Sequence, residues 1–261
     1  DITNYIPVSS SKDTDLWITQ FDGKVIEDAG MLKMDFLGLK TLSIIKDALE
    51  IIRKSKSIDI DIDNISFNDE KTFGLYQKGD TVGTFQFESA GMRKYLQELK
   101  PTDIEDLIAM NALFRPGPMD FIPNFINRKH GREKVEYPHE LLEPILKNTY
   151  GIMVYQEQIM QTAQIIAGFS LGKADILRRA MGKKKMDVMR GMQEEFIEGA
   201  KKLHNISTKN ATEIFSIMEK FAAYGFNRSH SAAYSVVAYQ TAYLKAHHPS
   251  EYMASVLSHN Q

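Results

Sequence analysis

The stretch Ala167-Gly-Phe-Ser-Leu-Gly-Lys-Ala-Asp-Ile-Leu-Arg-Arg-Ala-Met-Gly-Lys-Lys-Lys185 places two adjacent arginines on a short helical segment and three lysines after it. The chain as a whole carries a formal net charge of -2, so this positive charge is local. Clustered guanidinium and ammonium groups are typical of sites that bind polyphosphate or a nucleic-acid backbone. We therefore expect an anion-binding surface confined to one part of the chain.

The sequence on both sides of this stretch has mostly helical spacing. Apolar residues recur every three to four positions, and glycines and prolines separate the segments. The two prolines and the glycine of Arg115-Pro-Gly-Pro118 predict a rigid loop, because they cannot continue a helix. Helices are predicted over residues 41–53, 69–77, 91–99, 103–113, 151–167, 173–181, 186–203, 208–223 and 231–247, with Pro249 ending the last one.

Residues 1 to about 40 have a different pattern, which predicts strands. Leu16 to Phe21 is a strand candidate, Asp22-Gly23 is a hairpin signal, and Lys24 to Ile26 would form the returning strand. Met31 to Leu37 alternates in polarity and predicts a buried strand. The predicted fold is α+β and predominantly α-helical, with a small β-containing piece before a large helical domain.

The composition excludes several classes of protein. A chain of 261 residues that is 43% hydrophobic can bury a sizeable core. The absence of cysteine excludes disulfides and thiolate metal sites and suits a reducing, cytoplasmic setting. No apolar run has membrane-spanning length. Because the chain begins with Asp1 and stops at Gln261 directly after a helical pattern, we expect it to be a piece of a longer protein.

Two interpretations of the arginine helix are open from the residues alone. Arg178 and Arg179 project about 100° apart, so they could grip two sides of a ligand but not one carboxylate jointly. Alternatively, Asp175 pairs with Arg179 at i,i+4 on a solvated face. The second interpretation leaves Arg178 and the run Lys183 to Lys185 unexplained, so phosphate binding is favoured.

The acidic residues give weaker signals. Asp35 stands in an apolar segment and needs a partner, which could be Lys33 or a metal ion; the pattern does not decide between them. Asp59, Asp61 and Asp63 alternate with isoleucines and could share one face, as magnesium ligands do. They lie in a polar connector, so a solvated loop is the favoured interpretation.

A further anion site is possible at the start of the last predicted helix. Ser229 or Ser231 could cap that helix, and its unpaired backbone amides would attract an anion within reach of Arg228 and His230. An ordinary capped helix start without a ligand explains the same residues equally well.

Six stretches together resemble the C family of bacterial replicative DNA polymerases, the family of DNA polymerase III α subunits. They occur in the family's order over nearly the whole chain, which makes the match specific. They are Leu32-Lys-Met-Asp-Phe-Leu-Gly-Leu39, Gly83-Thr-Phe-Gln-Phe-Glu-Ser89, Leu113-Phe-Arg-Pro-Gly-Pro118, Val154-Tyr-Gln-Glu-Gln158, Leu177-Arg-Arg-Ala-Met-Gly-Lys-Lys184 and Tyr224-Gly-Phe-Asn-Arg-Ser-His-Ser-Ala-Ala-Tyr234.

The resemblance implies that residues 1–40 are the C-terminal part of a polymerase palm and residues 41–261 a fingers domain, truncated before its end. Palm aspartates of this family hold two Mg²⁺ ions; Asp35 would be the third of three, with the other two upstream of this chain. Lys33 would lie beside it as a second catalytic residue. The residues implied to bind the phosphates of the incoming dNTP are Arg115, Arg178, Arg179, Lys183, Lys184, Arg228, Ser229 and His230.

The resemblance therefore implies a fragment of a replicative DNA-directed DNA polymerase, inactive alone because it holds one of three carboxylates. Its implied partners are dNTP and primer-template DNA and, for the whole protein, a sliding clamp and other replisome subunits. The alternative is a non-catalytic nucleic-acid-binding helical module, with Tyr234, Tyr239 and Tyr243 stacking on bases. A helical protein-interaction scaffold is a third interpretation.

Overall fold

The computed structural model describes residues 2–12, 14–183 and 185–259. The chain divides into two compact units, Asp1–Lys40 and Thr41–Gln261. The first holds the short strands and the second the bulk of the helices, so the predicted α+β, predominantly helical fold is confirmed.

The first unit contains a two-stranded antiparallel ribbon. Strand β1 (Val8–Ser10) pairs with β2 (Trp17–Thr19). The predicted strand over Leu16 to Phe21 is thus found in part, but its partner precedes it. The return strand predicted at Lys24 to Ile26 is wrong, because this segment forms turns, with the Val25 N–H donating to the Asp22 carbonyl at 3.0 Å.

The buried strand predicted over Met31 to Leu37 is also wrong. Residues 31–39 form neither strand nor helix, and Leu32, Phe36 and Leu37 are 80%, 87% and 95% exposed. Alternating polarity predicts a strand only where a neighbouring strand supplies hydrogen-bond partners. Within the described part of this unit, the only pairing between strands joins β1 to β2.

The helical unit is built from helices whose first turns are capped by polar side chains. An oxygen of each capping residue accepts a hydrogen bond from a backbone N–H of the first turn, which stabilises the helix start. The capping residues are Asp69, Ser89, Asp103, Ser170, Ser207 and Asn227. The helices are α1 (Lys40–Lys56), α2 (Glu70–Gln77), α3 (Ala90–Leu99), α4 (Ile104–Leu113), α5 (Ile122–Lys129), α6 (Glu143–Leu146), α7 (Gln156–Ala167), α8 (Leu171–Gly182), α9 (Met186–His204), α10 (Thr208–Ala222), α11 (Arg228–His247) and α12 (Pro249–Ser258).

Three groups of buried side chains hold these helices together. The first joins α2, α3, α4 and α5 to the middle of α11, around Tyr76, Phe125 and Tyr239. The second joins α7, α8, α9 and α10, around Leu177 and Phe196. The third packs α1 against the end of α11 and α12. The second group fixes one side of the arginine helix, so its other side is presented to solvent.

Three helices, α5, α6 and α12, were not predicted, and each contains proline in its first turn. Helix α11 ends at His247, before Pro249, as predicted, but Pro249 also begins α12; Pro123 lies in the first turn of α5. Proline suits the first turn because the N–H that it lacks has no helical acceptor there. Among the described residues, no helix is both long and apolar enough to cross a membrane.

Candidate functional site

Helix α8 presents Arg179 on the side opposite its buried face and Arg178 at the edge of that face. Ser170 caps the helix by accepting a hydrogen bond from the Lys173 backbone N–H at 3.3 Å. The Arg178 side chain, beside the buried face, is 24% exposed, and that of Arg179 is 66% exposed. The buried face consists of Ala174, Leu177, Ala180 and Met181.

Asp175 contacts both arginines. Nε and Nη2 of Arg178 donate to Asp175 Oδ1 at 3.1 and 2.6 Å, and Arg179 Nη2 donates to Oδ2. The expectation that the pair could not share one carboxylate was wrong. The backbone directions differ by about 100°, but Asp175 lies three and four residues earlier, where both long side chains can reach it.

The pairing also fixes the charge of this cluster. Hydrogen bonds from Arg178 and then from Arg179 hold the pKa of the Asp175 carboxyl below its usual value. Asp175 is therefore ionised at neutral pH, and two guanidinium groups and one carboxylate leave one net positive charge. A guanidinium carries five N–H groups, so both arginines retain donors that do not face Asp175.

The lysine run follows α8 directly. The Lys183 backbone N–H donates to the Arg179 carbonyl at 3.0 Å, and the Lys185 N–H donates to the Ala180 carbonyl at 2.9 Å. Residues 183 and 185 are both exposed. Lys184, also predicted to bind phosphate, lies outside the described residues. The exposed lysine side chains extend the positive surface beyond the end of the arginine helix.

The start of α11 is occupied by an anion from the protein itself. Asn227 caps the helix, with its Oδ1 accepting from the His230 N–H at 2.8 Å. Both carboxylate oxygens of Glu157, on α7, accept from the Arg228 backbone N–H at 3.1 Å. Because helix N-termini attract negative charge, Glu157 takes the position that the sequence suggested for a ligand anion.

Neither of the serines predicted as caps has that role. Helix α11 begins at Arg228, three residues before its predicted start, so Asn227 is the residue in the capping position. Ser229 is exposed in the first turn. Ser231 is buried, and its hydroxyl donates to the Ile108 carbonyl at 2.6 Å, which ties α11 to α4.

The Arg228 and His230 side chains are both in contact with protein groups. Arg228 Nη2 donates to Glu105 Oε1 at 2.5 Å, and this hydrogen bond raises the pKa of the arginine. Arg228 and Glu105 line a polar cavity of about 360 Å³ together with Tyr155. The exposed ring of His230 lies 4.1 Å from the ring of Tyr234, centroid to centroid.

Arg115 lies in a structural position. Its Nε donates to the Ala112 carbonyl at 2.9 Å and its Nη2 to the Tyr224 carbonyl. The guanidinium also lies over the ring of Phe226, 4.7 Å from the centroid. Burial lowers the pKa of Arg115. These contacts join the loop after α4 to the segment before α11, which a bound phosphate would not require.

Lys33 and Asp35 are near each other and exposed. Lys33 Nζ lies 3.5 Å from Asp35 Oδ1, and the two side chains are 47% and 74% exposed. The predicted burial of Asp35 was wrong for the same reason as the strand around it. An exposed carboxylate suits a hard cation such as Mg²⁺, which keeps several waters and uses one or two carboxylates. One carboxylate does not by itself make a metal site.

The alternating aspartates form a loop, as the favoured interpretation held. Asp61 caps a short 3₁₀ turn, Ile62–Asn64, by accepting from the Asp63 N–H at 3.2 Å. Asp63 Oδ1 lies 3.4 Å from the side-chain amide of Gln240. Across residues 2–12, 14–183 and 185–259, no group of three or more histidine or acidic side chains could hold a metal ion.

The three tyrosines proposed to stack on bases occupy different environments. Tyr239 is fully buried, and its hydroxyl donates to the Ser66 carbonyl at 2.9 Å, so its predicted stacking role was wrong. Tyr234 and Tyr243 are partly buried, and Tyr243 packs on the ring of His247 with centroids 4.5 Å apart. They form no exposed row for successive bases.

Sequence reasoning missed the acidic partners of the cationic residues. Asp175 was considered for one arginine, and its spacing of three and four residues was the signal that it could serve both. Along the chain, Glu105 lies 123 residues before Arg228, and Glu157 lies 71 residues before it. No local spacing rule could have found these two contacts.

Comparison with protein families agrees with the resemblance in the sequence. A family model described as "Bacterial DNA polymerase III alpha subunit finger domain" matches residues 41–204, and one described as "Bacterial DNA polymerase III alpha NTPase domain" matches residues 1–38. The first match covers more than half of the chain and includes all of α8. The chain belongs to the bacterial DNA polymerase III alpha subunit family.

Curated relatives carry the same name, DNA polymerase III subunit alpha. The relative from Bacillus subtilis is 51% identical over 258 residues, that from Borreliella burgdorferi 52% over 257, and that from Escherichia coli 49% over 268. Each match covers 98% of this chain but only 22–23% of the relative. The chain thus spans less than a quarter of the length of these relatives.

Proposed function

We propose that this chain supplies a triphosphate-binding fingers surface and one palm carboxylate to a replicative DNA-directed DNA polymerase. The observation that carries the proposal is the convergence of Arg178 and Arg179 on one point of α8, inside the range matched by the finger-domain family. In this assignment residues 41–261 are fingers and residues 1–40 are the end of the palm.

The arginine pair has the chemistry that a triphosphate requires. Guanidinium groups form paired hydrogen bonds to phosphate oxygens and keep their charge at any physiological pH. Their positive charge would stabilise the negative charge that develops on the leaving pyrophosphate. Lys183 and Lys184 would add charge at the end of the helix. Arg179 is the more exposed of the pair and would be the first to meet a ligand.

The remaining predicted phosphate ligands have weaker support. Arg228 already contacts Glu105, and its backbone N–H is used by Glu157. Ser229 and His230 are exposed and could still meet a nucleotide. Arg115 is used by backbone carbonyls, so we assign it a structural role and leave it out of the proposed phosphate site.

The palm part of the proposal concerns Asp35 and Lys33. Asp35 would hold magnesium together with carboxylates from the rest of the polymerase, and Lys33 would lie beside the phosphates. Bound magnesium would supply activation of the primer 3′-hydroxyl and stabilisation of the leaving oxygen. The residues of this chain orient and neutralise the triphosphate, while template pairing selects the base.

For the whole protein we further propose a cytoplasmic location and, as partners, primer-template DNA, a sliding clamp and other replisome subunits.

The test is the affinity of the chain for a dNTP with magnesium, measured by titration calorimetry. The variant R178A/R179A removes the proposed site. The control K201A/K202A removes two adjacent, exposed lysines from the end of α9 and changes the net charge equally. We expect at least a tenfold loss for the arginine variant, about 1.4 kcal/mol, and a change below twofold for the control.

Equal affinity of R178A/R179A and the wild-type chain would contradict the proposal. An equal loss of affinity in both double variants would also contradict it, because nucleotide binding would then depend only on the net charge of the chain.

A further inference from the structure

Asp175 lies at the centre of the arginine cluster, and the proposed function gives it no task. It is the shared acceptor of Arg178 and Arg179, with one carboxylate oxygen for each guanidinium. Its side chain is 25% exposed, and its two oxygens face the two guanidinium groups. A solvated salt bridge would need only one arginine, whereas this carboxylate engages both.

The geometry of the helix makes such a shared acceptor useful. Side chains at adjacent positions leave a helix about 100° apart, so two free guanidinium groups would point to different places. Residues three and four positions apart lie on the same face, and Asp175 has that spacing to both arginines. Both guanidinium groups are therefore hydrogen-bonded to the same carboxylate, that of Asp175.

We infer that Asp175 is a positioning residue that brings Arg178 and Arg179 together so that both can bind one polyphosphate. This inference rests on the proposed function and adds a requirement to it. Unpaired arginine side chains lose much rotamer freedom when they bind a ligand. A pair already held by Asp175 has lost part of that freedom before the ligand arrives, which strengthens binding.

The carboxylate also has an opposite effect, because its negative charge repels phosphate. A variant that only removed this repulsion would bind phosphate more tightly. The two effects therefore predict opposite changes on neutralising Asp175, and an experiment can separate them. Since each oxygen already accepts from a guanidinium, the repulsion is partly neutralised, and we expect the loss of positioning to dominate.

The control for charge is Glu195. It pairs with Lys173, also on α8, and it is 57% exposed. Glu195→Gln and Asp175→Asn each remove one negative charge near the same helix, but only the second touches the arginines. Asp175→Glu keeps the charge and an acceptor within reach of both side chains, and it serves as the rescue variant.

The experiment titrates inorganic tripolyphosphate and inorganic phosphate into the 261-residue chain and its variants. We expect Asp175→Asn to bind tripolyphosphate about tenfold more weakly, Glu195→Gln to stay within twofold of wild type, and Asp175→Glu to recover most of the loss. The preference for tripolyphosphate over phosphate should fall only in Asp175→Asn, because one arginine suffices for a single phosphate. Equal or tighter tripolyphosphate binding by Asp175→Asn would overturn the inference.

A second measurement needs no ligand. NMR relaxation of the arginine Nε–H groups should show Arg178 more mobile in Asp175→Asn than in the wild-type chain, with no change in Glu195→Gln. Unchanged order of Arg178 would overturn the inference even if the proposed function holds. Loss of tripolyphosphate binding in R178A/R179A but not in Asp175→Asn would have the same meaning, whereas unchanged binding in both would refute the proposed function itself.

Discussion

At the scale of single residues, the two kinds of arginine in this chain have different surroundings. Arg178 and Arg179 meet a carboxylate on a surface, whereas Arg115 donates to two backbone carbonyls and covers an aromatic ring. A short sequence motif cannot separate these cases, because guanidinium groups suit phosphates and carbonyls equally. The surroundings give Arg115 a structural role, and they leave the α8 pair as the proposed ligand-binding residues.

Because Arg115 is assigned a structural role, we expect its substitution to lower the stability of the chain and not its affinity for a ligand. We expect R115A to lower the free energy of unfolding by ~1–2 kcal/mol, since hydrogen bonds from a charged donor are lost. R190A, at an exposed position on α9, should change it by less than ~0.5 kcal/mol. Urea denaturation followed by circular dichroism measures both. A fully stable R115A with weakened dNTP binding would return this residue to the phosphate site.

The sequence was enough to propose the candidate site but not to predict its contacts. The phosphate-binding interpretation was based on charge clustering, and the bounds of the helix that carries the arginines were predicted to within two residues. Pairing of Asp175 with Arg179 was considered, but its contact with Arg178 was missed because the prediction followed backbone directions and ignored the reach of arginine side chains. The roles of Glu105 and Glu157 depend on how α4, α7 and α11 pack, and distant packing leaves no local pattern.

At the scale of elements, α7 and α9 cross at very close range. A Cβ added to Gly199 would lie 2.3 Å from the Ala167 carbonyl oxygen, whereas one added to Gly191, on the same helix, meets nothing within 4 Å. Glycine normally weakens a helix by about 1 kcal/mol relative to alanine. At Gly199 the loss is accepted because the absence of a side chain lets the backbones of α7 and α9 come into contact.

The two glycines therefore predict changes of opposite sign. We expect G199A to destabilise the chain by ~1–3 kcal/mol, because backbone cannot move aside as a side chain can. G191A should stabilise it by ~0.5–1 kcal/mol through helix propensity. Thermal unfolding of the two variants beside wild type gives both values, and a stabilised G199A would show that the crossing is looser than described.

The start of α2 predicts an acid-sensitive contact. Burial opposes ionisation of Asp69, but hydrogen bonds from Thr72 and His247 outweigh it and lower the pKa of the carboxyl below its ordinary 3.8. A lowered folded pKa gives stability that is complete above the unfolded value and is lost as the pH falls through the folded one.

Asn is as good a helix cap as Asp, so D69N isolates the charge. We expect D69N to be less stable than wild type by about 1 kcal/mol near pH 7, with the difference shrinking below pH 4. D59N, in an exposed loop, should run parallel to wild type. Urea midpoints between pH 3 and 7 provide the comparison, and a constant difference would show that the charge is not responsible.

Element predictions failed where the same local pattern permits two outcomes. Pro249 follows the end of α11, as predicted, but it also begins α12, which was not predicted. The alternating segment before α1 is exposed and irregular, because alternation reports a strand only when a partner strand lies beside it. Helices with a full apolar stripe, such as α9 and α10, were predicted to within one residue at each end.

At the scale of the whole molecule, the chain consists of a small unit and a large helical one. The exposed, irregular residues 31–39 lie before α1, and exposed irregular backbone is the preferred site of proteolysis. We predict that limited proteolysis cuts there first and leaves a helical product starting near residue 40. Mass spectrometry identifies the cut, and first cleavage inside α7 to α10 would contradict the predicted order.

The proposed function also predicts what the chain can do alone. The proposed function gives this chain one of three metal-binding carboxylates, so we expect no magnesium-dependent primer extension, and measurable extension by the purified chain would contradict this. In the full-length protein that contains this chain, D35N should reduce extension by several orders of magnitude while leaving dNTP affinity within a few-fold. D59N serves as the matched control and should retain activity.

The most direct test is an experimental structure of the chain, or of the full-length protein containing it, with a non-hydrolysable dNTP and magnesium. The account predicts phosphate oxygens within hydrogen-bonding distance of both Arg178 and Arg179, with Asp175 still in contact with the pair. A triphosphate bound elsewhere, with both guanidinium groups facing only Asp175, would contradict it.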